Sequence, residues 1–75
     1  MEAVLERFGA NVRAARLSRG WTQEDLAAHT GLTSVQISRV ERGKREIRLT
    51  TLVKLLSALD VPPQQLLEGV ASKRR

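Results

Sequence analysis

A lone glycine, Gly31, separates two short stretches whose apolar residues recur at helical spacing, and this constrains the fold more than any other part of the chain. Residues 22–41 read Thr-Gln-Glu-Asp-Leu-Ala-Ala-His-Thr-Gly-Leu-Thr-Ser-Val-Gln-Ile-Ser-Arg-Val-Glu. Leu26 and Ala27 on the first stretch, and Ile37 and Val40 on the second, are spaced to pack the two helices against each other. Gly31 stands where the chain must turn sharply, and a residue without Cβ takes a positive φ there at little steric cost. Thr22 is a good N-cap for the first of these helices, with Glu24 and Asp25 suited to the positive end of its dipole. Thr33-Ser-Val-Gln36 has the S/T-x-x-E/Q form of a capping box and opens the other.

The flanking segments are helical as well. Leu5, Phe8, Val12 and Ala15 follow one helix face, and Gly20 suits a left-handed cap at the end of that helix. Trp21 is expected to insert into the core as the chain turns. The helix opened by Thr33 is expected to end by about Arg42, with Gly43 just past it. Leu52, Leu55, Leu56 and Leu59 mark a fourth helix, for which Arg48 is a poor cap. Asp60-Val-Pro-Pro breaks the chain, since Pro62 and Pro63 cannot continue a helix but can begin one. A short last helix carries Leu66 and Leu67, with Val70 apolar near its end. The expectation is an all-α domain of five helices over residues 1–70, followed by a disordered basic tail at 71–75.

A chain of 75 residues is one domain, near the lower limit for folding without a staple. It has no cysteine, which excludes disulfides and thiolate metal sites and makes a reducing cytoplasm the expected home. One tryptophan and one phenylalanine are the only aromatics, so aliphatic side chains must build the core, and an aromatic platform for unpaired bases is not available. A net charge of +5 and a pI near 11.1 fit a polyanionic partner. No apolar stretch approaches the roughly 20 residues that span a bilayer, and the acidic N-terminus does not resemble a signal peptide. With His29 the sole histidine, no metal and no cofactor are expected, and His29 reads as a surface residue. The eight acids are scattered and no glycine-rich phosphate loop is present, so no enzyme is expected.

Two helices joined by a tight glycine turn are the sequence form of a helix-turn-helix, whose second helix enters the major groove of DNA. The chain resembles the Xre/Cro-type helix-turn-helix family of phage repressors, Cro proteins and restriction-modification controller proteins. The matching text is Val12-Arg-x-x-Arg16, Gly20-Trp-Thr-Gln-Glu-Asp-Leu-Ala27, Gly31, Ile37-Ser-Arg-Val-Glu-Arg-Gly-Lys44, Leu49-x-x-Leu52 and Ala58-Leu-Asp-Val61. The resemblance implies a lambda-repressor-like DNA-binding domain with its helix-turn-helix at helices 2 and 3. It further implies a transcriptional regulator that binds an inverted-repeat operator as a homodimer, with half-sites about 34 Å apart. The end of the fourth helix and the last helix would then form the dimer contact, to which Leu66, Leu67 and Val70 are assigned. In length the chain resembles the controller proteins, with no small-molecule effector expected.

Base reading is expected from Ser34, Val35, Gln36, Ser38 and Arg39, near the start of the third helix. Arginine can donate two bonds to guanine, valine can pack on a thymine methyl, and glutamine can bond adenine unless its capping role claims the amide. Phosphate contacts are assigned to Gln23 and Thr33 at helix starts, Gln23 facing outward, and to the cationic run Arg42, Lys44, Arg45 and Arg48. The resemblance also implies an ion pair between Arg16 and Glu41, tying the first helix to the end of the third. Glu24 and Asp25 are a candidate contact for RNA polymerase, although helix capping explains them equally well. The competing reading is an antitoxin-like or anti-repressor interaction module with little sequence-specific DNA binding. It calls for acidic or apolar groups on the third helix, where Ser34, Gln36 and Arg39 stand.

Overall fold

The computed structural model describes residues 2–71. The basic residues assigned to the tail, Lys73, Arg74 and Arg75, lie outside the described residues. Five helices follow one another: α1 Glu2–Ser18, α2 Gln23–Thr30, α3 Ser34–Glu41, α4 Leu49–Leu59 and α5 Pro63–Leu67, and no strand occurs among the described residues. No helix of the described residues is long and apolar enough to cross a membrane.

The helix ends sit where local chemistry puts them. Thr22 Oγ1 accepts from the Asp25 N–H at 3.0 Å, while Asp25 Oδ2 accepts from the Thr22 N–H at 2.9 Å. Gly31 closes α2 in the left-handed region at φ 76°, and its N–H donates to the Ala27 carbonyl at 2.9 Å. At α3 the Thr33 N–H donates to Gln36 Oε1 at 2.8 Å, and the Gln36 N–H donates to Thr33 Oγ1 at 3.1 Å. The expected capping box is therefore present, and Thr22 forms a second one with Asp25. α4 starts after Arg48 with no side-chain cap, and α5 starts with proline at its first position.

Phe8, Val12 and Ala15 of α1 meet Leu26, Ala27, Ile37, Val40, Leu55, Leu59 and Leu66 in one core. α1 is the axis of the fold, packing on α3, α4 and α5, while α2 packs on α3 and α4. Three hydrogen bonds tie it and the residue just past it to the C-terminal helices. Asn11 Nδ2 donates to the Leu66 and Glu68 carbonyls at 2.8 and 2.9 Å, and Arg19 Nη1 donates to the Leu59 carbonyl at 2.9 Å. Each satisfies carbonyls that a helix end leaves without partners.

Two expectations are corrected here. Trp21 is half-buried rather than inserted: it packs against the core while its ring stacks on exposed His29 at 4.2 Å, with the Arg19 guanidinium carbon 4.8 Å from its centre. Leu66, assigned to the dimer contact, is 0% exposed and belongs to the protomer's own core. α5 is rotated so that Leu66 points inward and Leu67, 42% exposed, points out. Val70 follows the helix in a turn, half-buried, with its N–H donating to the Leu67 carbonyl at 3.0 Å.

Candidate nucleic-acid interface

α3 has two unlike sides. Ile37, Val40 and Glu41 are buried, so the opposite stripe of Val35, Ser38, Arg39 and the following Arg42 faces away from the core. Val35 is 56% exposed, beside neighbours that are polar or charged. Arg39 and Arg42 are exposed, and Ser34, Gln36 and Ser38 are half-buried along the edges. All five side chains assigned to base reading therefore lie on one short helix, with Val35 and Arg39 the most prominent.

The caps limit what two of these residues can offer. Gln36 Oε1 already accepts from the Thr33 N–H, which commits one of its two lone pairs and holds the amide toward the cap. Reading adenine with both amide atoms would compete with the cap for the orientation of that amide. Thr33 uses its hydroxyl oxygen as an acceptor for the Gln36 N–H, which leaves its O–H free to donate to a phosphate.

The inner side of α3 is fixed by charge. Arg16 Nε and Nη2 donate to Glu41 Oε2 and Oε1 at 2.7 and 3.0 Å, and Arg16 Nη1 donates to the Trp21 carbonyl at 2.7 Å. The two side chains are 8% and 2% exposed. A carboxylate at a helix C-terminus opposes the dipole, so Glu41 depends on this guanidinium. The hydrogen bond to Glu41 in turn holds the Arg16 proton more tightly than usual. The expected pair is present and buried, and it is the only ion pair among the described residues.

Gln23 departs from its expected orientation. It is half-buried, and its Nε2 donates to Glu41 Oε1 at 3.1 Å instead of facing outward. Gly9 makes a second unforeseen contact. A Cβ there would collide with the Val40 and Glu41 carbonyl oxygens, so glycine lets α1 approach the end of α3 closely. The signal for Gly9 was its position within an otherwise regular helical pattern.

Beyond α3 the chain carries Lys44, Arg45 and Arg48, all exposed and without an acidic partner among the described residues. Arg45 and Arg48, with Gln36, Glu46, Ile47 and Lys54, line a cleft of about 380 Å³ between α3 and the start of α4. Lys54 was not among the residues expected here. Glu24 and Asp25 are exposed on α2, but the Asp25 carboxylate is engaged in the cap.

The chain belongs to the helix-turn-helix family, which matches residues 12–66. It is similar to the control protein C.BamHI of Bacillus amyloliquefaciens, with 42% identity over 62 residues that cover 81% of this chain and 76% of that protein. The HTH-type transcriptional repressor RghR of Bacillus subtilis is 39% identical over 64 residues, covering 84% of this chain and 47% of RghR. The chain spans 23% of the length of the Mycobacterium bovis regulator Mb0023, to which it is 43% identical. Among solved structures, the restriction-modification controller protein C.AhdI from Aeromonas hydrophila superposes with a TM-score of 0.80 at 40% identity, covering 83% of this chain and 94% of that one. The P22 c2 repressor in complex with a synthetic operator superposes at 0.75 with 34% identity, again covering 83% and 94%.

Proposed function

We propose that this protein is a sequence-specific transcriptional regulator that binds an operator duplex as a homodimer, with α3 in the major groove. The observation that carries the reading is the division of α3 into a clamped inner side and an outward stripe of Val35, Ser38, Arg39 and Arg42. Arg39 has no acidic partner among the described residues and is free to donate two hydrogen bonds to guanine O6 and N7. Val35 supplies an apolar contact for a thymine methyl. Ser34, Ser38 and the Gln36 amide add polar contacts at the edges.

Thr33, Arg42, Lys44, Arg45 and Arg48 supply the phosphate contacts that set register without reading sequence. The dimer contact rests on Leu67 with the neighbouring Val70, since Leu66 is committed to the core. The C.BamHI and C.AhdI relatives, named as controller proteins, support the assignment to transcriptional control.

Selection of bound duplexes from a random pool at near-physiological salt tests this directly. The expected product is an inverted repeat with half-sites about one helical turn apart. Retained DNA without an enriched motif would reduce α3 to a backbone contact. No retained DNA would favour a protein-interaction module.

A further inference from the structure

We propose that the cleft between α3 and α4 seats a backbone phosphate of the operator, with Lys54 as a further phosphate-binding residue and Glu46 as the charge that opposes it. The inference rests on the operator-binding reading above and adds a contact from within α4.

Lys54 stands on α4, four residues after Thr50 and three after Thr51, and all three line the cleft. A long helical side chain leans back over the preceding turn, so the Lys54 stem runs over these threonines toward the start of α4. Arg45 and Arg48 line the same space from the segment before the helix. None of the three cations has an ion-pair partner among the described residues, although Glu46 shares the cleft. The positive end of the α4 dipole lies here too, with no side-chain cap. The cations therefore repel one another and the dipole, and an anion seated between them relieves both.

The walls add to the pull. Leu32, Val40 and Ile47 are apolar, and a cleft with charges of one sign on low-dielectric walls focuses the field on an ion that enters it. Two features make that ion part of a duplex. Arg42 and Lys44, exposed on the same run, extend the positive surface beyond the cleft. Gln36 belongs both to the cleft and to α3, so a phosphate seated here lies beside the helix that reads bases. Glu46 works against this arrangement. Its carboxylate lowers the attraction for every duplex alike, because it acts on backbone charge and touches no base.

The test is Lys54→Gln, at an exposed position where the fold is not at stake, with affinities measured over a range of salt. The log–log salt slope is expected to fall by about one per protomer, on the selected operator and on random duplex alike. At near-physiological salt that is about a fivefold loss per protomer, with base preference unchanged. Glu46→Gln is expected to tighten both complexes by about twofold per protomer. Methylphosphonate replacement of single operator phosphates then locates the contact. At one position per half-site it should weaken the wild-type complex, weaken Glu46→Gln more and weaken Lys54→Gln less. If every neutralised phosphate costs Lys54→Gln as much as wild type, Lys54 touches none of them and the proposal is overturned. An unchanged salt slope, or a Glu46→Gln complex no tighter than wild type, overturns it too. If the wild-type protein selects no operator, the operator-binding reading fails, yet the slope on random duplex still decides whether Lys54 binds phosphate.

Discussion

α2 and α3 each begin with a reciprocal capping box, Thr22 with Asp25 and Thr33 with Gln36, whereas α4 and α5 begin at Arg48 and Pro62 with no side-chain cap. The contrast continues at the other ends. α2 closes on a left-handed glycine and α3 on a buried ion pair, while α4 closes on Asp60, a non-glycine residue at φ 55°. α4 and α5 are held mainly by Leu55, Leu59 and Leu66, which are fully buried. Side-chain caps at the helix starts are thus confined to α2 and α3, while α4 and α5 rely on burial together with the bonds from Asn11 and Arg19 to their closing carbonyls.

The comparison breaks most violently at Glu41. Glu41→Ala strands the Arg16 guanidinium in a buried site and is expected to cost about 3–5 kcal/mol, measured by urea denaturation. Replacing both partners with apolar residues, Arg16→Met with Glu41→Leu, should recover much of that loss. A double variant as unstable as the single one would show that the pair's net attraction, and not the stranded charge, carries the effect.

At the start of α3, Thr33→Ala removes one half of the capping box and is expected to cost about 1 kcal/mol by the same measurement. No comparable loss should follow from Arg48→Ala at the start of α4, because Arg48 makes no cap bond there. The end of α4 offers the opposite sign. Asp60→Gly relieves a left-handed aspartate and removes a negative charge from a helix C-terminus, so stability should rise by about 0.5–1 kcal/mol.

The smallest effect concerns pH. The Thr22 backbone N–H, and then its hydroxyl, hold the Asp25 carboxyl below the usual carboxylate range. A pKa lowered by folding stabilises the protein above the unfolded carboxyl range, and the contribution is lost as pH falls through the folded value. The difference in thermal midpoint between wild type and Asp25→Asn should therefore shrink toward zero as pH drops below about 4. A difference that persists unchanged in acid would assign the Asp25 effect to something other than its charge.

The same contrast explains which features were legible in the sequence. Thr22, Gly31 and Thr33 announce their helices because caps and left-handed turns are local chemistry, read within four residues. Phe8, Val12 and Ala15 reveal their face because α1 runs for 17 residues, long enough for a period to emerge. α5 has five residues, too few to show its rotation, so Leu66 and Leu67 looked equivalent until the packing of α1 on α5 turned one inward. The bond between Gln23 and Glu41 spans 18 residues and depends on the crossing of α2 and α3, which no local pattern encodes. Gly9 is an intermediate case: its place inside a regular helical pattern marks it, but only the closeness of α1 to the Val40 and Glu41 carbonyls gives it a reason.

The central claim is that the outward stripe of α3 reads bases while its inner side is clamped. Arg39→Ala tests it most directly, with affinities measured on the selected operator, on operators changed at each position in turn, and on random duplex. The account predicts that preference is lost at one base pair per half-site, worth roughly 1–3 kcal/mol, with random-duplex affinity almost unchanged. An equal loss on every duplex would contradict it and make Arg39 a phosphate contact.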